Sequence, residues 1–461
     1  MKTRTEKDFI GSREIPENAL YGIHSLRAGE NFPKTEEKHD PEFIRAYSLV
    51  KKACIRAAGE AGLLDQEKSS ILVTAIDHLL NHSETLEASI IVPPLQGGAG
   101  TSLNMNLNEV IVNQGLLLMD KKPGEYDFLH PNDHANCCQS TNDTYPTALK
   151  IAVIWRFREL TETVCRLQEV LQAKEKEFSS VVKIGRTQMQ DALPMTLGAE
   201  FGAWAEAFAR DRWRFYKAEE RLRVANLGGT AIGTGVNATR RYTFLALQHL
   251  RSLSGVGIAK AENLLEATSN QDLFLEAFGW VKVFASNLYK IAQDLRFLSS
   301  SAVGEVILPS VQSGSSIMPG KVNPVIPELV IEAVFEVMGA DAVVTRAAME
   351  GDLELNAWLP VLGKHFLSSL RILNGVVELF IEKCLSGISC NEERCYGNLI
   401  RSHSLLTALN PVLGYEKVTE LVKEGIEKGK ELGELIREKG ILTEDQAKQY
   451  LSPERMIRKR E

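Results

Sequence analysis

The chain has 461 residues, 44% hydrophobic and 25% charged, with a net charge of −7. That length predicts two to four domains or one elongated helical assembly of ordinary globular composition. The acidic balance, without a large basic block, argues against nucleic acid as a partner, and no apolar run approaches the ~20 residues that span a bilayer.

The N-terminal MKTRTEKDFIGS is polar and lacks the apolar core of a signal peptide, so a cytoplasmic location is expected. Residues 1–40 are rich in turn formers: Gly11, Pro16, Gly22, Gly29 and Pro33. From Pro41 to about Ile90, apolar residues recur at helical spacing, with Gly62 as a predicted stop. PPLQGGAGTSLNMNLNEVI reads as a loop feeding a helix, with Thr101 or Ser102 as its cap. KKPGEYDFLHPNDHANCCQSTNDTYP reads as another loop.

Residues 147–181 and 195–225 read as long amphipathic helices, the first ~50 Å long at ~1.5 Å per residue. GRTQMQDALP and NLGGTAIGTGVNA interrupt the helical pattern. Helices are predicted over 243–252 and 272–300, and helical material from Pro327 to about Gly387. Val153, Ile154, Trp155, Phe157, Leu160 and Val164 make an apolar surface wider than one stripe, which predicts a bundle shared between subunits. The fold class is mainly all-α, with an elongated central bundle flanked by two smaller domains. The expected division is an N-terminal mostly helical domain over 1–141, a long-helix bundle over 142–393, and a small helical domain over 394–461. The closing MIRKRE is basic but short, and is read as a solvated tail.

The seven cysteines are Cys54, Cys137, Cys138, Cys165, Cys384, Cys390 and Cys395. Their spacing matches no zinc pattern, and most are expected to be free thiols packed as small apolar groups. Cys137-Cys138 adjoins a polar motif with His134 close in sequence, which raises the reading of a catalytic thiol; closeness in sequence does not establish an activating contact.

Four polar loops remain: GGAGTSLN (97–104), QSTNDTYP (139–146), GRTQMQDALP (185–194) and GSSIMPGKVNP (314–324). Capping explains any one of them, but is a poor explanation for four in one helical chain. Thr101, Ser140, Thr141, Asn142 and Thr187 are neutral donors, helix N-termini add backbone N–H groups, and Lys321 adds a full positive charge. Together these suit a small anion with more than one carboxylate, and leave a phosphate site open as the alternative. The nucleotide-binding GxxxxGK[ST] pattern is not met, because Val322 follows Lys321. HExxH is missing, and Asp and Glu are scattered rather than clustered as metal ligands.

GSSIMPGKVNP resembles the signature of the aspartase/fumarase superfamily, homotetrameric and largely helical lyases that release fumarate from succinyl-type substrates. GGAGTSLNMNLNEV, QSTNDTYPT, GRTQMQDALPMTLGAEF and LGGTAIGTGVNA resemble the family in order and spacing, so the likeness covers essentially the whole chain. EKDFIGSREIPENALYGIHSLRAGENFP resembles the aspartate ammonia-lyase branch more than class II fumarases. The resemblance implies that Ser315 is the catalytic base, on a mobile loop. It implies that Lys321, Asn323 and Thr187 bind the α-carboxylate, and that Thr101, Ser140, Thr141 and Ser316 bind the other carboxylate. Asn142 and Gln188 fall where the leaving amine is held, and Glu328 matches an acidic residue close behind the signature. It further implies a homotetramer whose sites are each assembled from three subunits.

The expected reaction is reversible anti elimination of ammonia from L-aspartate through an aci-carboxylate. No organic cofactor is expected and no metal ligands are predicted, although divalent metal activates some relatives. The alternatives are fumarate hydratase, a lyase for another substituted succinate, and a non-catalytic structural or binding member of the superfamily. Gln188 stands where many relatives carry His; it cannot act as an acid, which favours an amine over water as leaving group. Relatives usually carry a GPRAG-like segment ahead of the signature. Here FLSSSAVGEVILPSVQSGSS is a few residues shorter and lacks the arginine, which leaves open either a neutral trim or a pocket for a different substituted succinate.

Overall fold

The computed structural model describes residues 2–33, 36–429, 432–443, 445, 446, 450, 452 and 457, and the chain is mainly α-helical. The MIRKRE tail lies almost wholly outside the described residues. Among them, no helix is long and apolar enough to cross a membrane. The chain divides into two compact units. The first comprises Met1–Thr161, Trp213–Val283 and Phe335–Leu373, and the second Glu162–Arg212, Phe284–Val334 and Asn374–Glu461.

In the first unit, strands Thr3–Lys7 and Ser12–Pro16 pair antiparallel, where the sequence showed only turn formers. The predicted helical run after Pro41 is three helices: Pro41–Glu60, Gln66–Asn81 and Ser83–Ser89. Asp40 and Asp65 cap the first two by accepting backbone N–H groups of their first turns, and Pro41 occupies the position where a missing N–H costs nothing. Gly62, with φ +74°, closes the first of them as predicted.

Within the first unit, the helices Thr141–Glu177, Leu197–Leu222, Asp272–Leu298 and Leu359–Lys383 contribute rings to one aromatic knot, with Phe215 against Phe157 at 5.3 Å. The Phe366 ring packs edge-on to Phe157, Phe274 and Phe278 at centroid distances of 5.9, 6.2 and 5.0 Å. Each such ring contributes about 1.5–3 kcal/mol through burial. Val153, Ile154, Phe157, Leu160 and Val164 are almost wholly buried within the chain itself. Trp155, the remaining member of that surface, is only partly covered.

The helical run predicted from Pro327 to Gly387 is broken into Val325–Met349 and Leu359–Lys383. Asn356 causes the break to hold. Its side-chain amide donates to the Ala347 and Ala348 carbonyls at 2.9 and 3.1 Å, meeting the acceptors that a helix end leaves open.

In the second unit, GRTQMQDALP is not a loop but most of a hairpin, strands Val182–Thr187 and Gln190–Thr196. Gln188 and Met189 form its two-residue turn with φ +53° and +63°. Positive φ at both positions is what a tight hairpin turn of matching twist requires, and here it is met without the Asn-Gly or Asp-Gly that would have signalled it. Ile184 of this hairpin is buried in a cluster with Leu399, Leu406, Leu409, Val418 and Leu421, so the C-terminal helices cover its inner face.

Candidate active site

The candidate residues fall into two groups, one in each unit. In the first unit, Thr101 and Thr141 are the first residues of the helices Thr101–Leu118 and Thr141–Glu177. The N-cap of the former is Gly100 at φ +87°, not Thr101 or Ser102. Only glycine fits there, because a Cβ would stand 2.4 Å from the Tyr145 ring. That contact sets the two helix starts side by side. Tyr47 ties them again: its hydroxyl donates to Asn104 Oδ1 at 2.8 Å and lies 3.2 Å from Thr144 Oγ1. Two positive dipole ends thus share one locality, a setting suited to an anion.

Ser140 is the true cap of the second helix. Its Oγ accepts the Asn142 N–H at 3.2 Å, and the Asp143 carboxylate reaches back to the Ser140 N–H at 3.1 Å. This is a capping box closed by an aspartate. The other oxygen of Asp143 accepts the Gly228 and Thr230 N–H groups at 3.1 and 3.0 Å, so one carboxylate binds NLGGTAIGTG to QSTND. Asn142 is held on both sides. Its amide donates to the Ala231 carbonyl at 2.7 Å, and its own carbonyl accepts from Asn226 at 2.9 Å. Burial raises the Asp143 carboxyl to about 6, although the Ser140, Thr230 and Gly228 N–H groups favour its ionised form.

Just upstream, Lys51 is wholly buried and donates to Asn136 Oδ1 and Gln139 Oε1, both at 3.0 Å. Burial lowers its ammonium to about 7. Asn136 Oδ1 also accepts from Asn104 and Asn108, at 3.2 and 3.1 Å. Asp143, Lys51, Asn136 and Asn226 were not singled out from the sequence. The spacing of Asp143 three residues after Ser140 was the available signal; Lys51 lies in an ordinary helical pattern and gave none.

In the second unit, Thr187 and Gln188 are exposed at the tip of the hairpin. Its base is fixed by charge. Arg186 donates to both oxygens of Glu305, at 2.7 and 3.0 Å, and Lys183 sits 3.1 Å from Glu305 and 2.7 Å from Glu200. Glu305 is inaccessible to solvent. Burial opposes its charge, yet Arg186, Lys183 and Asn398 hold its carboxyl below the ordinary carboxylate range. Glu305 lies in the shortened segment that precedes the signature loop.

The signature loop closes on itself. The Gly314 N–H donates to the Lys321 carbonyl at 2.8 Å, and the Asn323 amide donates to the Gly314 carbonyl at 2.9 Å. Within this ring, Ser315 Oγ accepts the N–H groups of Ile317 and Met318 at 3.2 and 3.0 Å. Two backbone donors on one hydroxyl oxygen favour the alkoxide over the alcohol. Ser316 and Lys321 are exposed, and Ser315 and Asn323 are partly covered. Glu328, in the first turn of the helix Val325–Met349, lies 3.8 Å from Arg296.

A cavity of about 850 Å³ in the first unit, lined by Phe32, Ile44, Ile91 and Arg371 among others, holds none of the candidate residues. Among the described residues, no three His, Cys, Asp or Glu side chains group as metal ligands would. All seven cysteines are free; Cys54, Cys384 and Cys395 are buried.

Residues 11–339 match the lyase family, and residues 405–458 match the fumarase C C-terminal family. The chain is 43% identical to an aspartate ammonia-lyase from a Bacillus species over 98% of its own length and 97% of that protein's. It is 42% identical to the aspartate ammonia-lyase of Escherichia coli K12, over 98% of this chain and 96% of that one. A crystal structure of a fumarate lyase:delta crystallin from Brucella melitensis, bound to cobalt, superposes with a TM-score of 0.95 at 42% identity, covering 99% of this chain and 100% of that chain. The signature loop, the hairpin, the two capped helix starts and these full-length likenesses agree: the chain belongs to the lyase family of the aspartase/fumarase superfamily, alongside aspartate ammonia-lyases.

Proposed function

We propose that this chain is an aspartate ammonia-lyase that eliminates ammonia reversibly from L-aspartate to give fumarate and ammonium. The names of its full-length relatives support the substrate. The observation that carries the mechanism is the pair of N–H donors on Ser315 Oγ, because a serine can act as a base only where its surroundings favour the alkoxide.

Ser315 takes the proton from the carbon beside the side-chain carboxylate. The electron pair moves into that carboxylate as an aci-carboxylate dianion, which Thr101, Ser140, Thr141 and Ser316 stabilise. One such donor is worth about 3–4 kcal/mol in the transition state. Lys321, Asn323 and Thr187 hold the α-carboxylate, Asn142 and Gln188 hold the amine, and Glu328 supports the loop from behind. Ammonium departs without further protonation, which suits Gln188, an amide with no acidic proton to give. These steps draw on side chains and backbone donors alone, with no organic cofactor; divalent metal enters as a variable of the assay.

The working form proposed is a cytoplasmic homotetramer of amino-acid metabolism, with sites shared between subunits. Trp213, Tyr216 and Phe335, large and exposed on long helices, support self-association. Light scattering reads the assembly, and a stable monomer would remove the shared site.

The assay that tests the reaction follows fumarate in the ultraviolet from L-aspartate and L-malate side by side, each with and without magnesium, with Ser315→Ala as control. Fumarate from aspartate alone is expected. Activity on malate alone would make the chain a fumarate hydratase. Silence on both would turn the search to other substituted succinates, for which the shortened segment before the loop is the specific reason. Equal inertness of wild type and Ser315→Ala on every C4 diacid would leave a non-catalytic member.

A further inference from the structure

Cys137 and Cys138 take no part in the proposed elimination, yet Cys138 stands two residues ahead of the serine that caps the substrate helix and three ahead of the threonine that opens it. Their sulfur atoms are 3.6 Å apart. Both are only partly covered and both are free thiols. Cys138 has φ +60°, a backbone region that side-chain-bearing residues seldom occupy. It follows the π-helical turn Pro131–Ala135.

We propose that Cys137 and Cys138 form a modification site in which a small hydroperoxide converts the pair reversibly to a vicinal disulfide, lowering affinity for the dicarboxylate substrate. The effect on substrate rests on the lyase reading; the thiol chemistry does not.

The chemistry balances with the hydroperoxide as the only oxidant. The Cys137 thiolate attacks one peroxide oxygen and breaks the O–O bond, giving a sulfenic acid and, after protonation, an alcohol or water. The Cys138 sulfur then displaces the sulfenic hydroxyl, which leaves as a second water once it takes the Cys138 proton. Two electrons pass from the two sulfurs to the peroxide. Either thiol can donate across the 3.6 Å contact, and Cys137 also donates to the Leu63 carbonyl at 3.6 Å. The hydrogen bond between the two sulfurs brings the Cys137 thiol down to about 7 and pushes that of Cys138 up. Cys137 is therefore the attacking thiolate and Cys138 the resolving thiol.

The link to substrate runs through the backbone. Adjacent α-carbons lie ~3.8 Å apart, whereas an unstrained disulfide spans ~4.4–6.8 Å. Ring closure must therefore distort the peptide between the two cysteines. That peptide's carbonyl, on Cys137, accepts from the Gln139 side chain at 3.4 Å, and the same side chain donates to the Ala135 carbonyl at 2.9 Å and accepts from buried Lys51 at 3.0 Å. Gln139 is directly followed by Ser140, so a shift there moves the capping serine and the donors at Thr141 and Asn142. The same strain makes the disulfide easy to reduce, so a cellular thiol reverses it.

The test uses the full-chain enzyme exposed to hydrogen peroxide, with remaining thiols then alkylated and the peptides mapped by mass. A Cys137–Cys138 disulfide is expected, with KM for aspartate raised about tenfold, the loss of one donor to a charged group, and restored by dithiothreitol. Cys138→Ser should keep the starting KM and show no thiol-reversible rise. A map without the 137–138 disulfide overturns the proposal, as does a disulfide that leaves KM unchanged. If no C4 diacid is turned over at all, the lyase reading has failed, and the map still decides the thiol site by itself.

Discussion

Arg186 donates through two nitrogens to the two oxygens of Glu305, a carboxylate with no access to solvent. Lys183 approaches the same carboxylate at 3.1 Å. The hairpin that carries Thr187 and Gln188 is thereby riveted to the segment from which the signature loop departs. This is a buried cluster, in which loss of one partner strands the others, a cost of about 3–5 kcal/mol. Glu305→Ala is expected to lower unfolding free energy by that amount in urea titration, with a fall in kcat/KM as the hairpin loosens. A change below about 1 kcal/mol would class the cluster with ordinary surface pairs.

The loop itself depends on a single absent methyl. A Cβ on Gly314 would stand 2.6 Å from the Lys321 carbonyl oxygen and 3.0 Å from the Asn323 nitrogen. Gly314→Ala therefore cannot keep the ring that holds Ser315 against its two N–H donors. A displacement of about 1 Å is enough to cost ~10²-fold in rate. Steady-state kinetics should show that loss in kcat, and the melting temperature should stay within a degree or so of wild type, because the loop is exposed and carries little stability.

Ser315→Ala separates the proposed base from the scaffold. Removing a general base costs typically ~10²–10⁴-fold. The loss is expected in kcat, with KM nearly unchanged, since the proposed carboxylate donors remain. Ser316→Ala, one residue on, removes a proposed carboxylate donor instead and should lower kcat/KM by ~10²–10³-fold. Equal effects of the two substitutions, read from the same progress curves, would mean that Ser315 only binds.

Much of this was legible in the sequence, for a physical reason. Glycine, serine and lysine packed into GSSIMPGKVNP have no business in a helix, so their chemistry shows through. Long helices announced themselves by periodicity, and Gly62 by its place after an apolar run. The hairpin at Val182–Thr196 was hidden because Gln188 and Met189 adopt left-handed conformations that glycine or asparagine would have advertised. The break at 350–358 was hidden because Asn356 ends a helix from outside it, by bonding back to Ala347 and Ala348. The Glu305 cluster joins residues more than a hundred positions apart, and no local pattern reports such a pair. Exposed and buried apolar faces also look alike in sequence: Val153 and Ile154 are buried within the chain, whereas Trp213 and Phe335 on other long helices are exposed.

Asp143 gives the last prediction, a dependence on pH. Its carboxyl titrates near 6 in the fold because of burial, against an ordinary value of ~3.9 in the unfolded chain. Between those values the folded protein binds more protons than the unfolded one, so stability falls as pH rises. The contribution is fully present below ~3.9, is lost as pH rises through about 6, and amounts to something on the order of 3 kcal/mol. Asp143→Asn removes this term but also weakens the acceptors for the Ser140, Gly228 and Thr230 N–H groups. The melting-temperature difference, variant minus wild type, should therefore be most negative near pH 4, climb toward pH 6, and level off above it. Activity should run the other way. The ionised carboxylate is the stronger acceptor and holds the capping loop to the helix start, so wild-type kcat/KM should fall on an acid limb centred near pH 6. The asparagine variant should be less active overall and should lack that limb. A limb that survives the substitution unchanged would assign it to another group, and Asp143 would then be a scaffold residue without influence on the substrate.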